Sequence, residues 1–328
     1  MKFKVIDHTN KSKFTRSEYL YDKYCINKNL NKDTFIHSLK KAYYKYNAFY
    51  YGTNIVSLRD ILKPYFEQMF TSLEHGYDII DIGAGTGESF HILNDLKYKF
   101  NRYYFIEPFK SMSDQFNKQE DHRVTIINDY LENLNKDNFS LSKGKVFILC
   151  SVLRTMDNIP LFMKSLNNIM NKGDFLFLPI EPNNEYFGKY YHFLKPLDLF
   201  VRAKKKIRSK IQNLKNKNRA LIIKNSSSLD QAVDYLKSNH IVNKHFSKSI
   251  LYAVVYYNNH LSWQGISIPD EYNDGFFTIE QIAKDYNFEI NFISTSQYLY
   301  GISKSMDGIM QKLFPRCGST ITATLIKR

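Results

Sequence analysis

Between Tyr77 and Pro182 the chain alternates short β-rich segments with helical ones, the pattern of βαβ units in a parallel sheet. After an interruption the alternation resumes at Thr278, which is placed to cap a helix. The pattern predicts seven strands, at residues 78–82, 103–106, 124–127, 145–151, 174–180, 288–293 and 319–326. The chain is therefore expected to build an α/β fold around one sheet.

The rest of the chain divides around these strands. A length of 328 residues corresponds to about two domains. With 43% hydrophobic and 16% aromatic residues, the chain is expected to be globular rather than disordered. We predict an N-terminal helical cap over residues 1–75, a core formed by 76–182 and 277–328, and a largely helical insertion over 183–276.

Several protein classes are disfavoured by simple patterns. No run approaches the roughly 18 apolar residues of a membrane-spanning helix, and no apolar run follows the N-terminal lysines as in a signal peptide. Cys25, Cys150 and Cys317 lie far apart, which disfavours a disulfide framework or a cysteine zinc site. We therefore expect a cytoplasmic protein without a metal.

Most of the positive charge lies in one segment. The net charge is +14, and residues 199–229 contain ten Lys or Arg and no Asp or Glu. Between 202 and 219 the bases surround an apolar stripe at helical spacing, as in a helix packed by one face. Nucleic acid or an anionic surface is the alternative partner of this segment, which we do not favour.

The turn after the first predicted strand reads Asp81-Ile-Gly83-Ala-Gly85-Thr-Gly87-Glu88. Glycines at the end of a parallel strand let the backbone approach a ligand closely. A dinucleotide-binding turn would need a third glycine at position 88, where this chain has a glutamate. A carboxylate there would repel a pyrophosphate, so the turn favours a ligand without phosphates.

Two further acids follow at informative positions. Glu107 ends the second predicted strand, where a carboxylate can accept hydrogen bonds from both hydroxyls of a ribose. Asp129 follows the third strand, where an acid can bind the exocyclic amine of adenine. The three features stand in the order that a nucleoside site requires.

Together these residues resemble the class I S-adenosylmethionine (SAM)-dependent methyltransferases. The first motif of that family corresponds to residues 81–87, and residues 151–158 resemble its segment after the fourth strand. The resemblance implies a Rossmann-like seven-stranded sheet with an antiparallel last strand, and SAM as cofactor with S-adenosyl-L-homocysteine (SAH) as product. The cofactor-binding residues it implies are Asp81, Gly83, Ala84, Gly85, Gly87, Glu107, Pro108, Asp129, Tyr130, Cys150 and Ser151.

The acceptor site is expected in the regions outside the core. The prolines and aromatic ring that clamp a flipped nucleic-acid base are absent after Cys150. The insertion is rich in aromatic residues, which suit a small acceptor, and Tyr43, Tyr44 and residues 49–51 are a possible lid. Candidate catalytic residues are His192, His260 and Glu181, and candidate substrate-binding residues are Tyr186, Tyr191, Tyr257 and Trp263.

The sequence thus favours a methyltransferase of small-molecule biosynthesis that modifies an O, N or C atom of its acceptor. Two alternatives stay open. One is a methyltransferase acting on RNA or protein through the basic helix 202–219. The other is a catalytically silent methyltransferase-like binding module.

Overall fold

The computed structural model describes residues 16–116, 121–139, 144–156, 159–182, 224–255, 278–296 and 320–328. These residues form eight α-helices and seven strands, with short 3₁₀ turns between them. The helices are α1 (Arg16–Tyr24), α2 (Lys32–Thr71), α3 (Glu88–Asp95), α4 (Lys110–Ser113), α5 (Ile159–Ile169), α6 (Lys224–Ser238), α7 (Lys248–Val255) and α8 (Ile279–Asp285). The strands are β1 (Asp78–Ile82), β2 (Tyr103–Ile106), β3 (Val124–Ile127), β4 (Lys145–Ile148), β5 (Phe175–Pro182), β6 (Phe288–Ser296) and β7 (Thr320–Lys327).

All seven strands belong to one sheet in the order β3-β2-β1-β4-β5-β7-β6. The first five strands pair in parallel, whereas β7 runs antiparallel to both β5 and β6. The predicted seven-stranded sheet with an antiparallel last strand is confirmed. The strand order reverses between β1 and β4, and open α/β sheets bind ligands at such a reversal, outside the carboxyl ends of the strands.

Both faces of the sheet are covered, which is why the central strands β1 and β4 are buried throughout and mostly apolar. On one face the buried cluster includes Phe162 and Leu166 of α5 and Ile282 of α8. On the other face it includes Leu62, Phe66 and Phe70 of α2 with the apolar side chains of α3. Thr278 caps α8 as predicted, since its hydroxyl accepts a hydrogen bond from Gln281 N at 3.1 Å.

A third buried cluster joins the N-terminal helices to the insertion. It contains Phe35 and Leu39 of α2, Leu20 of α1, Leu236 of α6 and Leu251 of α7. Helix α2 is 40 residues long and contributes to both this cluster and the sheet core. The same helix therefore connects the described helices of the insertion to the sheet that carries the glycine turn.

Candidate cofactor site

The glycine turn places three residues in the left-handed region, with φ of +65° at Gly83, +61° at Gly85 and +97° at Gly87. This region favours glycine because a Cβ is strained there. The environments of the three differ. A Cβ on Gly83 would lie 2.8 Å from a methyl of Val152, and one on Gly87 would lie 2.3 Å from the ring of Phe116. Both glycines are therefore required for packing.

Gly85 is the glycine whose missing side chain leaves open space. The nearest atoms to a Cβ at this position are Glu88 Oε2 at 3.8 Å, Met112 Cε at 3.9 Å and Gly83 O at 4.0 Å. These are ordinary contact distances, so the face of Gly85 borders a cavity. Gly85 lines that cavity, whereas Gly87 is not among its lining residues.

Glu107 holds the turn from the end of β2. Its Oε2 accepts a hydrogen bond from Gly85 N at 3.0 Å, and its Oε1 accepts one from Phe109 N at 3.0 Å. A carboxylate has about four acceptor positions, so each oxygen can accept a further hydrogen bond. The residue is buried, and burial raises its pKa to about 7 despite the two amide donors.

Asp81, the fourth residue of β1, is buried beneath the turn. Its Oδ2 accepts a hydrogen bond from the hydroxyl of Tyr103 at 2.6 Å. Burial raises the pKa of Asp81 to about 7, although the Tyr103 hydroxyl lowers it. Among the described residues, Asp81 Oδ1 is buried without a hydrogen-bond partner. Tyr103 was not among the predicted site residues, because a tyrosine in an apolar strand signals only that its hydroxyl needs some partner.

The loop after β3 closes another side of the cavity. Asp129 and Tyr130 both line it. Asp129 Oδ1 accepts hydrogen bonds from Tyr130 N and from the side-chain amide of Asn133, each at 2.7 Å. Asn128 binds this loop to the preceding one, because its side-chain amide donates to Glu107 O at 2.9 Å. The two predicted acids thus stand on loops that are joined to each other.

The N-terminal helix α2 forms the remaining wall. Lys40 and Tyr44 line the cavity, and neither was predicted as a site residue beyond the possible lid at 43–44. Lys40 Nζ donates to Thr155 O at 2.8 Å, and the ring of Tyr44 stacks on Phe109 with 4.6 Å between centroids. Tyr43 instead belongs to the buried helical cluster. Side chains 49–51 lie outside the described residues.

The cavity therefore lies at the carboxyl ends of β1 to β4, under α2. Of the predicted cofactor residues, all but Gly87 line it: Asp81, Gly83, Ala84, Gly85, Glu107, Pro108, Asp129, Tyr130, Cys150 and Ser151. This position at the reversal of strand order, in a sheet of order 3-2-1-4-5-7-6 with β7 antiparallel, decides the fold. The chain has the class I methyltransferase fold.

Three solved structures illustrate the similarity of this chain to known proteins. One is a SAM-dependent methyltransferase from Thermotoga maritima, described as a possible histamine N-methyltransferase; it has 14% identity and a TM-score of 0.43, with 87% of this chain and 98% of that chain covered. The second is DhpI in complex with SAH, at 16% identity, a TM-score of 0.37, and coverage of 46% and 71%. The third, from Methanococcus maripaludis, is assigned as a SAM-dependent methyltransferase, at 15% identity, a TM-score of 0.36, and coverage of 58% and 84%.

No family model and no curated protein matches the chain. The assignment of the methyltransferase fold therefore rests on the strand order and not on these similarities. Within the described ranges, no helix is long and apolar enough to cross a membrane. In the same ranges, no group of three or more His, Cys, Asp or Glu side chains is arranged to hold a metal ion.

Several predicted residues lie outside the described parts of the chain: His192, His260, Tyr186, Tyr191, Tyr257, Trp263 and the basic segment 202–219. The third predicted catalytic residue, Glu181, is described and is 2% exposed. It does not line the cavity. Its Oε1 accepts hydrogen bonds from Val152 N at 2.7 Å and Leu153 N at 3.4 Å.

Glu181 thus holds the segment after β4 that forms one wall of the cavity. Two residues near this segment adopt a left-handed backbone, with φ of +60° at Ser151 and +55° at Ile180. This conformation is especially unusual for Ile180, because its side chain is β-branched. The Ser151 hydroxyl donates to Ile180 O at 3.0 Å and links the two strained positions. Strain of this kind persists where surrounding contacts enforce it, and it is concentrated at functional sites.

Glu181→Ala is expected to lower the free energy of unfolding by about 2–3 kcal/mol, because two buried backbone amides lose their acceptor. Glu181→Gln keeps an oxygen that can accept both, and we expect it to cost less than about 1 kcal/mol. Urea denaturation of both variants measures the difference. Equal losses in the two variants would contradict the role of Oε1 as the acceptor that holds this segment.

Proposed function

We propose that the protein is a SAM-dependent methyltransferase whose acceptor is a small molecule held under the cap formed by α2 and the insertion. The observation that carries the proposal is the open face of Gly85 beside Glu107. The turn leaves space where a side chain would stand, and the carboxylate that fixes the turn retains acceptor positions. A nucleoside without phosphates needs both features.

The residues present fit this cofactor. Glu107 would accept hydrogen bonds from the ribose hydroxyls, and Asp129 lies one loop further, where the adenine amine would find an acceptor. Phe109, Tyr130 and Met112 supply apolar surface on the same side of the cavity. Asp81 offers a buried oxygen without a partner to a cationic group. None of these residues belongs to the insertion.

The bound cofactor supplies an activated methyl group, so the C–S bond breaks as the bond from the acceptor atom to the methyl carbon forms. The protein's contribution is to bind, align and exclude water. Helix α2 excludes water at one side through the stacked Tyr44 and Phe109 rings. The segment held by Glu181 forms the wall where Thr155 and Met156 meet Lys40, and we place the acceptor beside it.

Calorimetric titration of the protein with SAH tests the cofactor assignment. We expect saturable binding at a ratio of one, and no binding of NAD, because Glu88 would repel its pyrophosphate. Transfer of a labelled methyl group from SAM to members of a small-molecule panel then tests the activity. Absence of heat with both SAH and SAM would overturn the proposal, and binding without transfer to RNA, protein or any small molecule would favour a silent binding module.

A further inference from the structure

Glu88 is the first residue of α3 and lines the same cavity as Asp81 and Glu107. The hydroxyl of Thr86 donates to Glu88 Oε1 at 2.6 Å and fixes the carboxylate against the turn. The other oxygen, Oε2, is the nearest atom to the position that a Cβ on Gly85 would occupy, at 3.8 Å. The Glu88 carboxylate therefore borders the open face of the glycine turn.

The charges in this cavity are not balanced. Its lining includes five carboxylates, from Asp81, Glu88, Glu107, Asp129 and Glu132, against one lysine, Lys40. Lys40 belongs to α2, and its ammonium donates to Thr155 O at 2.8 Å. Burial raises the pKa of Asp81 and of Glu107 to about 7, and a cationic ligand in this cavity would favour the charged form of both carboxyl groups.

The acids around the turn have neutral hydrogen-bond donors as partners: the Tyr103 and Ser89 hydroxyls for Asp81, the Thr86 hydroxyl for Glu88, and two backbone amides for Glu107. In the described part of the chain, no ion pair joins any of the three to a Lys, Arg or His. Burial raises the pKa of Glu88 as well, and the charge of Arg59 lowers it only in part, since Arg59 has its ion pair with Asp95 at 3.6 Å.

A second observation independent of this charge count points to a ligand. Asp81 Oδ1 is buried without a hydrogen bond of normal geometry among the described residues, although the Ser89 hydroxyl is near enough to lower the pKa of Asp81, and this side chain lines the cavity and is 1% exposed. Burying an unpaired carboxylate oxygen is costly, and a positively charged group from a ligand would remove that cost. The turn is therefore built to receive a cation.

We infer that Glu88 is a specificity-determining residue that makes the site favour the cationic SAM over its neutral product SAH. The inference rests on the proposed function. SAM carries a sulfonium, an ammonium and a carboxylate, for a net charge of +1, whereas SAH has lost the sulfonium charge and is neutral overall. Glu88 adds a carboxylate at the position that is glycine in a dinucleotide-binding turn. The same carboxylate that repels phosphates therefore also favours release of the neutral product SAH.

Glu88→Gln tests the inference because it removes the charge and keeps the size and an oxygen for the Thr86 hydroxyl. The dissociation constants of SAM and SAH are measured by calorimetry for the wild type and the variant. We expect SAM to bind about three- to tenfold more weakly, as removal of one partly screened charge would give. SAH affinity should change less than twofold. Glu88→Asp, which keeps the charge, should retain most of the wild-type preference.

Asp285→Asn is the matched control, since it makes the same change of charge at the exposed end of α8, away from the cavity. It should leave both dissociation constants unchanged. If Glu88→Gln weakens SAM and SAH by the same factor, or leaves both unchanged, Glu88 does not discriminate charge and the inference is wrong. A wild-type protein that binds neither ligand would instead overturn the proposed function, so the two failures are distinguishable.

Discussion

Gly85→Leu should weaken SAH binding by more than about 100-fold while the protein stays folded. The added side chain begins at ordinary contact distances from Glu88 and Met112, so the protein itself tolerates it. It projects into the space that we assign to the cofactor. A leucine at a φ of +61° also costs about 1–2 kcal/mol of backbone strain. Calorimetry with SAH measures the first effect and urea denaturation the second.

Gly173→Leu separates these two effects. Gly173 has a φ of +89°, and an added Cβ there meets no atom within 4 Å. The same substitution therefore introduces comparable backbone strain in the turn before β5, far from the cavity lining. It should lower the free energy of unfolding as Gly85→Leu does and leave SAH affinity unchanged. Similar affinity in both variants would show that Gly85 does not face the ligand.

The sheet was predictable because each of its strands can be recognised from its own short stretch of sequence. Each parallel strand is a short apolar run bounded by a turn, and burial on both faces requires that composition. The boundaries shifted by a few residues: β4 ends at Ile148 rather than at residue 151, and β5 continues to Pro182. Residue Ser151 leaves the strand because its φ of +60° is incompatible with one.

Helix α2 lies within the predicted N-terminal helical cap over residues 1–75, but its length of 40 residues was not predicted. Its first half packs on α1, α6 and α7, and its second half packs on the sheet, so its buried face differs between the two ends. An apolar stripe at one constant helical angle is the signal that sequence reading detects. Helix α2 packs against two different buried clusters, so its apolar residues do not form one continuous stripe.

The motif located the cofactor cavity but did not separate the roles of its members. Three glycines look equivalent in sequence, yet an added Cβ would clash with Val152 at Gly83 and with Phe116 at Gly87, whereas at Gly85 the nearest atom is 3.8 Å away. Tyr103 and Lys40 reach the site from elements distant in sequence, and no local spacing marks them. Contacts of this kind depend on the tertiary arrangement, which the composition of a single segment does not encode.

Glu107→Gln should weaken SAH binding about 10- to 100-fold at pH 8 and remove the part of its pH dependence that comes from Glu107. In the wild type, burial raises the pKa of Glu107 from 4.5 to about 7. The ribose hydroxyls donate to the carboxylate and so favour its charged form. Wild-type affinity should therefore rise as pH increases through about 7 and level off above it. The amide cannot ionise and offers one acceptor oxygen in place of two. Calorimetry between pH 6 and 8.5 gives both profiles, and parallel profiles would refute the assignment.

The raised pKa of Glu107 also predicts how the free energy of unfolding depends on pH in the protein without ligand. Because the folded state holds the Glu107 proton more tightly than the unfolded state, this group favours folding most below pH 4.5, and the contribution is lost as pH rises towards 7. A shift from 4.5 to about 7 corresponds to about 3 kcal/mol. Asp81, whose pKa is also raised to about 7, acts in the same direction. Urea denaturation at pH 5 and pH 8 should thus show a smaller loss of stability for Glu107→Gln than for the wild type, because only the other acids whose pKa burial raises, Asp81, Glu88 and Asp174, retain the effect. At one fixed SAH concentration, the ligand should stabilise the wild type at pH 8 more than the variant, because the variant binds SAH more weakly. Equal pH dependence in the two empty proteins would mean that the Glu107 carboxylate is already ionised near its ordinary pKa, and the ribose contact would then have no proton to displace.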